Sequence, residues 1–427
     1  MITRLKTFFV LFTLLIAFQS SQAAYILLPM DTRQKDHLKA YGITYWVLEN
    51  NVEAYWLLNY RGGSFAFIHT PLLEKECLTR GVSYDIIADA AFNAIREEIA
   101  NPEVNQEVIK LEVAPQIAVY TPDFNAQGDR IQPWDDAVTL VLTYAEIPYE
   151  TVYDAEVLDE RLAKYDWLHL HHEDFTGQYG KFYAGYSGHA WYRENKRRME
   201  ELASNLGFQK VSQLKLAVIK KIREYVGAGG FMFAMCSATD TYDIALSAEG
   251  TDICAEMFDG DPADPSAQDK LDFTKGFAFE DFELVTNPRE YEYSTIDNRS
   301  RKVIPEHDYF TLFDFSAKWD PIPTILTQCH TRTVKGFMGQ TTAFRKSYIK
   351  SNVLVLGENK PVDEARYLHG VYGKGFWSFY GGHDPEDYQH RVNDPETDLS
   401  LHPNSPGYRL ILNNILFPAA RKKKRKT

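Results

Sequence analysis

The sequence predicts an α/β fold, a largely parallel sheet covered by helices on both faces, with an N-terminal α/β region and a mixed insertion. Three observations predict it. Short apolar runs such as Gln116–Tyr120 and Phe231–Met235 read as strands buried on both faces, the pattern of a parallel sheet. Between them lie stretches with apolar residues at steps of three and four, as at Val211, Leu214, Val218, Ile222 and Tyr225. Finally, Gly227-Ala228-Gly229-Gly230 stops that helix just before the next strand.

Taken in order, Arg4 and Lys6 precede an uncharged apolar run, Phe8 to Phe18, and small residues stand at Ser21 and Ala23. This is the pattern of a secretory leader cleaved after Ala23, so residues 1–23 predict an exported protein, periplasmic or extracellular. The run is shorter than the ~20 apolar residues of a membrane span, and no transmembrane anchor is expected. An N-terminal region, 24–110, follows. Tyr25–Met30 reads as a strand, and a helix capped by Asp31 or Thr32 runs to Tyr41 and ends at Gly42. Ile43–Val47, Glu53–Leu58 and Phe65–His69 read as strands, with a turn at Arg61–Ser64. Glu76–Glu98 mixes strand and helix, and Pro102–Pro115 reads as a connection.

A second region, 111–420, carries the alternating rhythm. Trp134–Tyr144 has helical spacing, and Tyr149–Tyr153 and Asp166–His171 read as strands. About Gly250 to Arg345 the rhythm breaks, and that stretch reads as the insertion. It returns at Val353–Leu356 and Gly375–Tyr380, and a helix from about Gly407 to Leu416 closes the fold.

The formal charge of −13 becomes −15 without the leader and −21 without the six cations of 421–427, which read as a disordered basic tail. Such an acidic body excludes nucleic-acid binding through a broad basic face. The cysteines of the chain, Cys77, Cys236, Cys254 and Cys329, allow three full pairings.

Ligands of open parallel sheets gather at the carboxyl ends of the strands, and three predicted strands end in reactive side chains. Cys236 follows Phe231–Met235 and precedes a predicted helix at Asp240–Leu246, with small residues, Ala234 and Ala238, two positions to either side. A nucleophile on such a strained turn needs small flanks, and helix amides aimed at it favour thiolate and oxyanion; a buried structural cysteine is the other reading. His383 leaves the strand Phe376–Tyr380 through Gly381-Gly382, with Asp384 and Glu386 next. An accessible imidazole with a nearby carboxylate is the partner that nucleophilic catalysis needs; a loop histidine beside a turn-capping Asp384 is the other reading. Third is His169-Leu170-His171-His172-Glu173-Asp174, where His169 and His171 share a strand face while His172 and Glu173 leave the strand end. That density suits zinc, but without a His-Glu-x-x-His spacing the cluster reads as substrate contacts.

From about Gln116 to Phe417, with 250–345 unaccounted for, the sequence resembles the class I glutamine amidotransferase-like superfamily, particularly its trehalose-utilisation-like branch. The resemblance rests on Tyr225–Gly230 before the elbow strand, on Cys236 at the position of the catalytic cysteine, and on Gly375–Glu386 at the closing strand. It implies a flavodoxin-like sheet. Amidotransferases have His-Pro-Glu where this chain has His383-Asp384-Pro385-Glu386; the trehalose-utilisation-like branch has Gly-His-Asp-Pro, as at Gly382–Pro385, and generally lacks the cysteine. From Tyr25–Asp31 onward the whole chain also resembles exported bacterial proteins labelled asparagine synthetase B. Its residues do not carry that activity: position 2 is Ile2 rather than cysteine, and no Ser-Gly-Gly-x-Asp-Ser loop is present.

The expected function is a hydrolase or amidase-like enzyme, with Cys236 as nucleophile, His383 as base, and Glu386 or Asp384 as its orienter. His171, His172 and Glu173 line its pocket. Its ligand is a small molecule, a carbohydrate or a peptide, and no cofactor or metal is assigned. The alternatives are a non-catalytic carbohydrate- or peptide-binding protein using the same cleft, and a metal-dependent hydrolase built on His169–Asp174 and His383.

Overall fold

The computed structural model describes residues 24–122, 136–298, 304–320, 331–389 and 394–420. The leader, the basic tail and Cys329 lie outside the described residues. The fold is α/β, as the sequence predicts, with two sheets sharing a layer of helices.

The first sheet holds β1 (Ala24–Leu28), β2 (Ala54–Leu58), β3 (Ser64–Ile68), β4 (Asp85–Ala88) and β5 (Glu107–Leu111) in the order β4-β1-β3-β2-β5, all antiparallel. Helix α1 (His37–Glu49) covers one face; α2 (Pro71–Arg80) packs on α1, and α3 (Asp89–Ala100) covers the other face. Two expectations are corrected here. Helix α1 begins after its cap Asp36 and runs through Gly42 to Glu49, so Ile43–Val47 is helix, not strand. Gly42 is there for close approach: a Cβ on it would lie 1.8 Å from the carbonyl oxygen of Ala145. The stretch read as a connection, Pro102–Pro115, contains β5, which pairs with β2.

The second sheet has ten strands. Its parallel part comprises β6 (Ile117–Tyr120), β7 (Glu150–Val152), β8 (Trp167–His171), β9 (Phe231–Met235) and β15 (Gly375–Tyr380), ordered β7-β6-β8-β9-β15. Counted among themselves these strands run 2-1-3-4-5, one of the two common orders of doubly wound sheets. Beyond β15 the sheet turns antiparallel through β14 (Glu364–Tyr372), β13 (Leu354–Asn359), β10 (Tyr309–Leu312) and β11 (Thr333–Lys335), with β12 (Phe344–Arg345) also paired to β14. The expectation of a mostly parallel sheet is corrected by this half, and the 250–345 insertion is corrected too. It supplies three strands of the main sheet, and its Asp308 forms a buried ion pair with Arg366 of β14 at 2.9 Å.

Both faces are covered. Helices α1, α4 (Ala137–Tyr144) and α8 (Pro406–Leu416) share one apolar core with Trp167, Phe231 and Phe233. On the other face α6 (Val211–Ala228) and α7 (Ser237–Ser247) join Leu168, Leu170, Met232 and Ala234, and α5 (Ala190–Asn205) lies against α6. Alternation along β8 therefore puts His169 and His171 with Trp167, under α4. The first core crosses the 110/111 boundary, since it also contains Ile26, Trp56 and Phe65 of the first sheet. Arg409 of α8, fully buried, donates to the hydroxyl of Tyr41 at 3.1 Å and to the carbonyls of Met30 and Gly62.

Two histidines are held neutral by the fold. Burial, aided by Arg409, pushes His37 down to about 4, and burial pushes His369 down to about 3. An unfolded histidine titrates near 6.5, so below that pH the unfolded chain binds protons that the folded chain does not. Stability is therefore full above about pH 6.5 and falls toward pH 4, by up to about 1.4 kcal/mol per unit for each histidine. Urea unfolding at pH 7, 5.5 and 4.5 checks this, and H369Q should flatten part of the slope.

Candidate functional site

The site is built at the carboxyl ends of β8, β9 and β15. Strand β8 is buried along its length, and His171 is its last residue, 4% exposed. Side chains alternate along a strand, so His171 and His172 should face apart. A left-handed φ of 27° at His172 breaks that alternation, and the two rings lie 4.6 Å apart between centroids. The third imidazole comes from the turn after β15. Gly382, at φ 106°, reverses the chain where a Cβ would strike the Phe337 ring at 2.3 Å. His383, 9% exposed, is thereby aimed back at β8, with its ring 4.5 Å from that of His171 and stacked on His172 at 5.5 Å.

One nitrogen from each of His171, His172 and His383 lies within 4.8 Å of the others. A tetrahedral ion with ligands at 2.0–2.1 Å sets its nitrogens about 3.3 Å apart. Both ring nitrogens of His171 are buried without a hydrogen-bond partner, while His172 is exposed and gives solvent access.

Behind His171 stands Asp136, the N-cap of α4. Its carboxylate accepts from the amides of Val138 at 2.7 Å and Thr139 at 3.2 Å, and meets His169 Nε2 at 3.1 Å and His171 Nδ1 at 3.2 Å. Burial opposes the charge of Asp136, but the two imidazoles hold its carboxyl well below the usual range. Burial also lowers His171, outweighing the pull of Asp136, and keeps its ring neutral.

The other predicted residues sit apart from this trio. Glu173 is drawn to Lys215, 3.5 Å away, and burial raises its carboxyl. Lys215 is fully buried and also bonds Asp154 at 3.1 Å, Tyr120 at 2.9 Å and Tyr153 at 3.1 Å. Asp384 accepts from the amides of Glu386 and Asp387 and from the hydroxyl of Thr397, and Glu386 pairs with His402 at 3.2 Å. Cys236 caps α7 with φ 54° and ψ −142° and is 2% exposed. Its Sγ accepts the Gln340 amide at 3.2 Å, yet burial outweighs the neighbouring amides and pushes the thiol up to about 11. Cys77, Cys236 and Cys254 are free thiols. A cleft lined by Phe175, Lys210, Ser212, Leu216, Ala245 and Ile253 lies off the centre, and none of the three imidazoles lines it.

Sequence reasoning missed Asp136 and Gln340. An aspartate just before the apolar spacing of α4 was a cap signal; Gln340 carried none.

No protein-family model matches the sequence, and no curated protein matches it. Among solved structures, a cytoplasmic protein from Salmonella typhimurium is similar at 9% identity over 72% of this chain and 100% of its own, with a TM-score of 0.33. A second, from strain LT2, stands at 11% over the same shares, with a TM-score of 0.35. A catalytic mutant of a GH42 beta-galactosidase from G. stearothermophilus is 13% identical over 63% of this chain and 27% of its own, at 0.27. The two Salmonella proteins are named cytoplasmic, and on that finding the exported location is withdrawn as a correction. The leader reading rested on a cationic start, an apolar run and small residues at Ser21 and Ala23, all outside the described residues; at these TM-scores the likeness assigns this chain no location in its place. Among the described residues no helix is long and apolar enough to cross a membrane.

Two outcomes follow from the buried groups. In the folded protein Cys236 should alkylate slowly from pH 6 to 8.5 and rapidly in urea, read by mass spectrometry; fast labelling near pH 6 restores the nucleophile. Lys215→Met strands Asp154 without its cation and should cost about 3–5 kcal/mol in chemical denaturation.

Proposed function

We propose that the protein is a metal-dependent hydrolase whose centre is His171, His172 and His383. The observation that carries the reading is the convergence of three imidazoles from two separate strand ends, one of them buried with both ring nitrogens unpartnered. Only a neutral imidazole binds a metal, and burial favours that form at His171. Three histidines leave a fourth position for water, as in catalytic zinc sites. A divalent ion bound there supplies a Lewis acid and a water with pKa near ~7, a nucleophile for an ester or amide carbonyl. His172, being exposed, would leave an ion held by the trio reachable from solvent. Glu173, tied to Lys215, stands at the wall rather than among the ligands.

The strand order 2-1-3-4-5 supports a flavodoxin-like, amidotransferase-like ancestry for the sheet. It does not make Cys236 a nucleophile, and the burial of that thiol ranks the cysteine reading second. The strained turn at Cys236 is the observation that keeps it in second place. The binding-protein reading comes third and expects stabilisation by a ligand without turnover.

Metal analysis of protein purified through a histidine-free tag, without chelator, should find about one zinc-like ion per chain. His383→Ala and His171→Ala should each lose it, together with any metal-restored esterase or amidase activity. Wild-type protein with no stoichiometric ion, and no thermal shift on adding zinc, manganese or nickel, sinks the proposal.

A further inference from the structure

We infer that residues 336–342 are the positioning element of His383, with Gly339 as its contact with the turn and Arg366 as its anchor. The inference rests on the metal reading above for its consequence, while its geometry is tested without an ion. His383 leaves β15 through Gly381 and Gly382, the residue type with the freest backbone, so the turn alone does not hold the ring in place. The segment between β11 and β12 does. Three successive amides of the turn donate outward: Gly381 to Arg366 O at 2.8 Å, Gly382 to Thr341 O at 2.9 Å and His383 to Met338 O at 2.8 Å. Between the last two acceptors stands Gly339. Its backbone is not left-handed, so its own conformation asks for no glycine; its neighbour does. A Cβ on it would lie 2.9 Å from the carbonyl carbon of Gly382 and 3.0 Å from the amide nitrogen of His383. The missing side chain leaves the room that the turn fills.

Arg366 of β14 holds both sides of this contact. It is 1% exposed, and its Nη2 donates to the two carboxylate oxygens of Asp308 at 2.9 and 3.0 Å. Its Nη1 donates to the carbonyls of Phe337 at 3.3 Å and Thr342 at 3.4 Å, near the two ends of the segment. Its own carbonyl is the one that accepts Gly381. Asp308 closes the circle, since its carbonyl accepts the Gly336 amide at 2.7 Å. A buried guanidinium needs a carboxylate, and Asp308 meets that need alone. The bonds to Phe337 and Thr342 go further: they fix the segment near both ends, with Gly339 pressed on the turn between them. A lysine has no planar fork to spread over a carboxylate and two carbonyls at once.

The groups of a built centre must be held to within about 0.5 Å, and loss of an outer partner commonly weakens metal affinity about 10–100-fold. Zinc affinity of the full chain is measured by competition with a chromophoric chelator, for wild type, G339A, R366K and H383A. G339A and R366K should each bind about 10–100-fold more weakly than wild type. G185A is the control: a Cβ there meets nothing within 4 Å, and zinc should bind it as it binds wild type. In the metal-free chain, histidine-labelled NMR should show a ring-to-ring NOE between His171 and His383, whose centroids are 4.5 Å apart, and G339A should lose it. A lowered melting temperature with affinity and NOE at wild-type values leaves the segment a structural role only and overturns the inference. Amide hydrogen exchange of wild type decides the matter even if both variants fail to fold. Fast exchange at Gly382 and His383 overturns the inference, and protection shared with the segment supports it. If wild type binds no zinc, the proposed function and the metal consequence fall together. Loss of the NOE in G339A then still upholds the positioning of His383, and its retention overturns that as well.

Discussion

Strand β8 is buried on both faces and still carries two imidazoles, and this conflict organises the site. Buried polar groups must find partners or destabilise the fold. His169 and His171 point into the core under α4, and a single carboxylate at the start of that helix bonds the first at 3.1 Å and stands 3.2 Å from Nδ1 of the second. Asp136 does so because α4 begins where β8 ends, at the carboxyl edge of the sheet. The N-terminal amides of α4 stabilise a negative charge there, and so the carboxylate tolerates its burial. One residue therefore caps a helix and satisfies a buried imidazole on the neighbouring strand.

The two sheets are joined in the same economical way. Arg409 on α8 reaches across to Tyr41 of α1 and to the neighbouring carbonyls of Met30 and Gly62 at one end of the first sheet, so the last helix is tied to the first elements of the chain. Gly42 brings α1 against Ala145 at the end of α4. Helices α1, α4 and α8 thus form one layer between two sheets. Asp136 stands at the first turn of a helix whose last turn is braced by the N-terminal region, and a rigid scaffold of this kind is what holds a polar centre in register.

Where the determinants were local, the sequence could be read. Strands β9 and β15 lie at the predicted positions because each is a short apolar run ended by glycine or a turn, and α6 follows its three-and-four spacing. The histidines after β8 and β15 were visible as candidates for the same reason. What was hidden depends on contacts between distant residues. Gly42 reads as a helix stop unless the backbone of Ala145 is known to lie against it. Strand β14 carries Glu364 and Arg366 in its buried stretch, which breaks the apolar pattern, and partners from the supposed insertion, Asn298 for Glu364 and Asp308 for Arg366, explain their burial. The trio is half hidden: the glycine turn before His383 is legible, but the left-handed φ at His172 that sets its ring beside His171 is not written in the spacing of the histidines.

Cys236 shows how a correct local reading can mislead about chemistry. A positive φ at a non-glycine residue costs of order 1–3 kcal/mol and persists only where the surroundings over-determine it. Here they do: the Cys236 amide donates to Gly382 O at 3.1 Å, its carbonyl accepts the Thr239 hydroxyl at 2.7 Å, and its Sγ accepts the Gln340 amide. Each contact closes the thiol off further, and none supplies a cation or an imidazole to ionise it. The first contact also has a consequence for the centre. Gly382 donates its own amide to Thr341 O, and His383 donates to Met338 O, so the elbow, the 338–342 segment and the glycine turn form one clamp. The strain stored at Cys236 is compensated by bonds that fix the backbone just before His383. On this reading the elbow keeps the geometry of a nucleophile site, but it serves to aim the third imidazole.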